Sequence, residues 1–347
     1  MAHRPSTAAP RPDVKRGRQA QPFPAQGSRH NYAALDLGTN NCRLLVARPT
    51  EDGFVVVDAF SRIVRLGEGL AATGRLSDQA MDRAVSALSV CSDKLRRRHV
   101  ALVRSVATEA CRRASNGREF VERVYRETGI ALEIITPEQE ARLAVLGCHA
   151  LLEPGDGNAL IFDIGGGSTE LVLIDTDGSP PRVVDWYSAP WGVVSLSETE
   201  PHGGNDKAAL LASYARMRAR VAESFAGFSQ KLRDKGIPPG RLLGTSGTVT
   251  TLASVYLDLP SYDRRAVDGL IVPAMAMRGI SERLSGMTID ERAELACIGY
   301  ERADLVVAGC AILDAILDIW PAERLGVADR GIREGILRSL MARKATT

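Results

Sequence analysis

The chain has 347 residues, with 44 Lys and Arg against 42 Asp and Glu and a formal net charge of +2. At roughly 100–200 residues per domain this length predicts two domains. A composition that is 45% hydrophobic and 25% charged excludes collagen-like, coiled-coil and disulfide-scaffold classes. No stretch approaches the ~20 unbroken apolar residues of a spanning helix, so no membrane partner is expected. Residues 1–30 hold six basic residues (Arg4, Arg11, Lys15, Arg16, Arg18, Arg29) against Asp13, which leaves about −3 for the body. A mildly acidic body lacks the basic face of a nucleic-acid binder, and no nucleic acid is expected. The tail is rich in proline and poor in large apolar residues, which predicts disorder, and it lacks the apolar centre of a secretory signal. The six cysteines (Cys42, Cys91, Cys111, Cys148, Cys297, Cys310) form no CxxC pair and the five histidines no HExxH pair. Most of the cysteines are expected to be small buried hydrophobes in a reducing cytoplasm.

In chain order, Tyr32–Asp36 reads as a buried strand, then a turn at Gly38–Asn41, a strand at Cys42–Ala47 and a third at Phe54–Phe60. Asp78–Arg98 carries a helical apolar stripe, with Ser77 placed as N-cap. Ala101–Ala107 is a strand; a helix from Glu109 is interrupted at Ser115–Gly117 and resumes over Arg118–Glu127. Leu132–Ile135 is a strand, and Pro137 opens the next helix. The second half predicts strands at Ala159–Gly165, Leu171–Leu173, Val183–Ser188, Arg241–Leu243 and Leu325–Ala328. Its helices are expected over Lys207–Lys235, Val249–Val255, Ile280–Leu284, Ile289–Tyr300, Ala303–Ile319 and Gly331–Ala342, with Asp258–Asp268 a polar connection. Alternating strands and helices indicate an α/β fold.

One pattern recurs. Placing Asp163 over Asp36 aligns Gly165 with Gly38, Ser168 with Asn41 and Leu171–Leu173 with Leu44–Val46, a period of 127 residues. A domain-sized period predicts two halves built alike. The division expected is a tail at 1–30, a first domain at 31–150 and a second at 151–345.

Both repeated turns place an aspartate at a strand end, then glycine, then small hydroxyl or amide residues. Successive backbone N–H groups in such turns form a concavity for phosphate oxygens. Thr39, Asn40, Asn41, Ser168 and Thr169 add side-chain donors. Asp36 and Asp163 are both placed to hold a hydrated Mg²⁺, an ion that favours one or two carboxylates plus phosphate oxygens. A third turn, Gly244–Thr248, feeds a helix in the manner of an anion-binding N-terminus. Glu140 on composition alone is an acid complementing a helix dipole. Arg112 and Arg113 read as surface charges or as phosphate-binding forks. Glu170 reads as an exposed-face acid, and Lys94–His99 as a solvated helix end.

Taken together, Leu35–Val46, Arg62–Leu70, Val106–Arg112, Ile135–Leu143, Phe162–Leu171, Gly244–Thr248 and Asp329–Gly335 resemble, in order, the motif blocks of the exopolyphosphatase/guanosine pentaphosphate phosphatase family. The resemblance implies two ribonuclease-H-like domains of the actin, acetate-kinase and sugar-kinase superfamily around a cleft. It implies Glu140 as general base and Arg112 as a phosphate-binding catalytic residue, with Asp163 and Glu170 holding Mg²⁺. Asp36, Gly38, Thr39, Asn40, Asn41 and Arg43 with Gly165, Gly166, Gly167, Ser168 and Thr169, and with Gly247 and Thr248, would cradle phosphate. The chain is similar to the short, two-domain form, which implies hydrolysis of inorganic polyphosphate or of guanosine pentaphosphate. Related proteins often pair, so a homodimer is among the implied partners. A phosphotransferase and a non-catalytic phosphate sensor are the rival classes.

Overall fold

The computed structural model describes residues 30–342 except 52, 179 and 180. The expected tail therefore lies outside the described residues, apart from His30. Its first half runs β1 (Asn31–Leu37), β2 (Asn41–Thr50), β3 (Gly53–Ile63), α1 (Leu70–Thr73), α2 (Asp78–Arg97), β4 (Val100–Ala107), α3 (Glu109–Arg113), α4 (Gly117–Thr128), β5 (Leu132–Ile134) and α5 (Pro137–Cys148). The second half runs β6 (Asn158–Ile164), β7 (Thr169–Asp175), β8 (Arg182–Ala189), α6 (Val193–Thr199), α7 (Lys207–Asp234), β9 (Arg241–Thr245), α8 (Gly247–Tyr256) and α9 (Arg264–Val267). It ends with β10 (Ile271–Pro273), α10 (Ala274–Ser285), α11 (Ile289–Ala293), α12 (Val306–Ile319), β11 (Arg324–Ala328) and α13 (Ile332–Ala342).

The two sheets share one topology. The first has the order β3-β2-β1-β4-β5 and the second β10-β11-β9-β6-β7-β8. In each, a three-stranded antiparallel meander meets a parallel strand on the far side of its first member: β1 with β4, and β6 with β9. This is the ribonuclease-H-like arrangement expected of each half. The strand β10, antiparallel to β11, is an addition to the second sheet. Three residues ending in Pro273 gave no periodicity to read, so β10 was not predicted from sequence.

Burial on both faces explains the near-continuous apolar runs of β1 and β6. Ala33, Leu35 and Leu37 pack with Leu88 and Cys91 of α2, while Tyr32 and Ala34 face Leu143 of α5 and Ile336, Leu337 and Leu340 of α13. The other side of α5, carrying Ala141, Val145 and Cys148, packs on Ile161, Val172 and Leu243 of the second sheet. Helix α5 is thus wedged between the two sheets. The largest core lies in the second half, where the apolar α12 packs with α7 and the sheet around Phe162, Met217, Phe225 and Trp320.

The last helix crosses back. Helix α13 lies on α5 and β1, so its packing belongs to the first sheet although its sequence follows the second. We propose the domain division near residue 150 with this helix transferred to the first unit. Other boundaries shift locally: Ile289–Tyr300 is helical only to Ala293, α10 begins six residues before Ile280, and α6 occupies a stretch that had no predicted element. The basic helix end is not free of partners, because Lys94 and Arg98 both pair with Asp58 at 2.8 Å.

Candidate active site

The two hairpins are superposable in their bonding. Gly38 N donates to Asn41 O at 2.9 Å, and 127 residues later Gly165 N donates to Ser168 O at 2.9 Å. The register sets Asp36 opposite Arg43 and Asp163 opposite Glu170. The turns then meet face to face. A methyl group on Gly166 would stand 2.9 Å from Asn40 N, and one on Gly167 would stand 2.7 Å from Thr39 Oγ1. Only glycine permits this approach of one lobe's loop to the other's.

Helix α5 presents Glu140 to the same cleft. Thr136 Oγ1 accepts from Gln139 N at 3.2 Å and Gln139 returns its side chain to Thr136 N at 2.9 Å, a complete capping box with Pro137 in the first turn. The cap fixes where the helix starts and so where Glu140 points. Glu140 is buried, and its Oε2 accepts from Arg112 Nη1 at 3.1 Å. Arg112 also donates to Ile135 O and to Glu109 Oε2, both at 2.7 Å.

A single cavity of about 150 Å³ gathers Glu140, Asp36, Asp163 and Glu170 on its walls. Gly38, Thr39, Asn40, Asn41 and Arg43 line it from the first hairpin, and Gly165, Gly166, Gly167 and Ser168 from the second. Gly247 and Thr248 reach it from the start of α8. Two expected residues do not line it. The Thr169 hydroxyl donates to Trp191 O at 2.7 Å and is fully buried, because alternation along β7 turns it away from Ser168. Arg112 lies behind Glu140, its fork occupied by two carboxylates and a carbonyl. Glu170 corrects the reading of an exposed acid: it is 2% exposed and accepts from Ser168 Oγ at 2.7 Å and Ser188 Oγ at 2.9 Å.

Four carboxyl groups share this space, and each is pushed above its ordinary range. Burial is the main cause for all four. Asp163 rises to about 6, with Asp36 adding repulsion against the pull of Arg43. Glu170 rises to about 7, repelled by Asp163 and steadied by its two serine donors. Glu140 rises well above the usual carboxylate range, with Glu170 opposing its charge and Arg112 favouring it. Asp36 Oδ1, Thr39 Oγ1 and Asn40 Oδ1 are buried without a hydrogen-bond partner. Crowded acids and orphaned oxygens of this kind suit a hydrated divalent cation and a phosphate group. Among the described residues no group of three or more His, Cys, Asp or Glu forms a metal cage.

Sequence reasoning missed several wall residues: Thr108 and Glu109, Arg302, and Arg330 with Arg333 at the start of α13. The signal for the last pair was present in Asp329–Gly335, a strand–turn–helix with arginines around a glycine, the design already read at Gly244–Thr248. Ser246 in that third turn holds φ +107°, a backbone region that disfavours any residue with a Cβ.

The profile of the Ppx/GppA phosphatase family matches residues 45–344. Exopolyphosphatase 2 of Mycobacterium tuberculosis is 32% identical over 322 residues, spanning 89% of this chain and 98% of its own. A putative exopolyphosphatase of Haemophilus influenzae is 28% identical over 321 residues, spanning 91% and 93%. The crystal structure of the Aquifex aeolicus member of the Ppx/GppA family overlays with a TM-score of 0.74 at 29% identity, covering 91% of this chain and 98% of that one. With two ribonuclease-H-like halves closing on one acidic cleft, and with these relatives matched along nearly their whole length, the chain belongs to the Ppx/GppA phosphatase family and is a phosphatase of phosphoanhydride bonds.

Proposed function

We propose that the protein removes the terminal phosphate of inorganic polyphosphate by Mg²⁺-assisted hydrolysis. The observation that carries this reading is the convergence of two opposed glycine hairpins and the buried Glu140 on one small cavity. Hairpin N–H groups and the hydroxyls of Thr39 and Ser168 hold the oxygens of the chain end. Glu140 accepts a proton from the attacking water; its raised affinity for protons makes it a better base than an exposed carboxylate. Arg112, bonded to Glu140 Oε2, orients that carboxylate and supports its ionised form. The new P–O bond forms from the water as the bond to the bridging oxygen breaks, releasing orthophosphate and a chain one unit shorter. Asp163 and Glu170 would hold the cation, with Asp36 beside them. Mg²⁺ supplies neutralisation of the charge spread over the transferring phosphoryl group.

The cavity has a volume of about 150 Å³. It accommodates a phosphoryl end and its water, with the remainder of the substrate outside. Guanosine pentaphosphate presents a similar end, so the test compares the two. Purified protein is given long-chain polyphosphate or guanosine pentaphosphate, each with and without Mg²⁺, and orthophosphate is measured. Mg²⁺-dependent release from polyphosphate at the higher kcat/KM is the expected result. Faster release from guanosine pentaphosphate would reassign the substrate, and release from neither would overturn the reading.

A further inference from the structure

Two arginines line the cleft without a side-chain hydrogen bond to any described residue. Arg43 extends from β2 and Arg333 from the first turn of α13, and both line the cavity. The other arginines there are committed: Arg330 Nε donates to Asp268 at 2.7 Å and Arg302 Nη1 to Thr251 at 3.0 Å. Among the described residues neither side chain makes a hydrogen bond or a close ion pair, although Glu334, Asp329 and Asp36 attract Arg333 from farther off and Arg43 faces Asp36 and Asp163. Burial weighs most against the charge on Arg333; Glu334 favours that charge more than Arg43 opposes it. A methyl on Gly247 would stand 3.6 Å from Arg43 Nη2, so this guanidinium reaches across to the start of α8. Guanidinium N–H groups left without acceptors in a partly dehydrated cleft are better satisfied once an anion accepts from them. A guanidinium fork matches phosphate oxygens, and two forks match a tetrahedral group offering three non-bridging oxygens.

We propose that Arg333 is a further substrate-binding residue, forming with Arg43 a two-guanidinium clamp for a phosphoryl group. This deepens the hydrolase reading above and rests on it for the identity of the substrate. The placement of Arg333 relative to Glu140 is built in. Helices α5 and α13 cross in backbone contact: a methyl on Gly147 would stand 2.0 Å from Gly331 O, and one on Gly335 would stand 2.0 Å from Leu143 O. The helix that carries the base and the helix that carries the clamp are thereby fixed to each other. The phosphoryl group belongs either to the chain end or to released orthophosphate.

The test is calorimetric titration of the full-length protein in metal-free buffer with orthophosphate and with tripolyphosphate, for wild type, Arg333→Met and Arg333→Lys. Arg333→Met is expected to weaken binding about 10–100-fold, the loss usual for charge-assisted hydrogen bonds, with Arg333→Lys recovering part of it. Weakening of tripolyphosphate alone assigns the clamp to the chain end; weakening of both assigns it to the product as well. Because Arg333 makes no side-chain hydrogen bond and burial works against its charge, Arg333→Met is also expected to keep the wild-type melting temperature in buffer and to lose the rise that phosphate induces. Wild-type affinity for both anions in both variants would overturn the proposal, as would a lowered melting temperature with unchanged binding. Binding is read without turnover, so a wild-type protein that releases no phosphate would remove the hydrolase reading and leave an Arg333-dependent anion site standing.

Discussion

Arg43 and Glu170 occupy the same position in the two halves: each is the residue directly across the hairpin from the strand-end aspartate, Asp36 in the first and Asp163 in the second. The repeat has therefore diverged in charge at one place. The first hairpin pairs an acid with a cation and the second pairs two acids, which divides the cleft into a side suited to phosphate and a side suited to a metal ion. Replacing Glu170 by Gln removes a negative charge at nearly constant shape. Half-saturating Mg²⁺ is expected to rise about 10–100-fold, measured by titrating phosphate release with the cation. An unchanged Mg²⁺ dependence would place the ion elsewhere.

Glu140→Gln keeps the side chain's size and an oxygen for Arg112 but abolishes the base. Turnover is expected to fall about 10²–10⁴-fold. The melting temperature should hold or rise, since a buried carboxyl with a raised pKa is lost. Steady-state kinetics and a thermal melt on the same preparation check both.

The acids also set a pH dependence. In the folded state Asp163 titrates near about 6 and Glu170 near about 7, against ordinary values of 3.8 and 4.5. Between about pH 4 and 7 the folded chain binds more protons than the unfolded one, so the contribution of these groups to stability falls as pH rises. The metal-free protein should melt at a higher temperature near pH 5 than near pH 7.5, with a smaller difference in Glu170→Gln. Activity should run the opposite way, increasing through pH 6–7 as the carboxylates ionise. Melts and rates across one buffer series read out both trends.

Gly335→Ala places a methyl against Leu143 O, where the two helices touch. Overpacking of this kind costs about 1–3 kcal/mol. Because α13 fixes α5, the variant is expected to lose turnover along with stability. Denaturant unfolding with parallel kinetics tests the coupling; a stability loss with full activity would separate the crossing from Glu140.

The lobes are also bridged outside the cleft. Arg65, whose backbone N–H donates to Asn40 O at 3.0 Å, holds Asp304 through two hydrogen bonds at 2.7 and 3.2 Å. Nearby, Gly69 N donates to Glu198 Oε1 at 2.7 Å. The Arg65–Asp304 pair is about one-third exposed, so Arg65→Ala should cost under about 1 kcal/mol of stability. Its larger effect is expected on the spacing of the lobes. Small-angle scattering should show a wider substrate-free molecule, with KM raised more than kcat is lowered.

Much of this was written locally. The Asp-x-Gly turns, the buried strands before them, the proline that opens α5 and the cap at Ser77 are short-range features, and each was legible because turn chemistry and burial patterns act over a few residues. Partner choice was not. The apolar run marks Tyr32 and Ala34 as buried, but nothing in it says that a helix some 300 residues later covers them. Apart from the family resemblance, the residues themselves left Arg112 a surface charge or a phosphate fork and Glu170 an exposed acid. Folding turned the first onto Glu140, Glu109 and a carbonyl, and sealed the second beneath two serines. Arg333 entered the cleft only because α13 returns to the first sheet. The chain by itself determined which residues turn, cap and bury. The tertiary structure decided which charges meet, because an ion pair depends on a distance of a few ångströms that only the packed helices set.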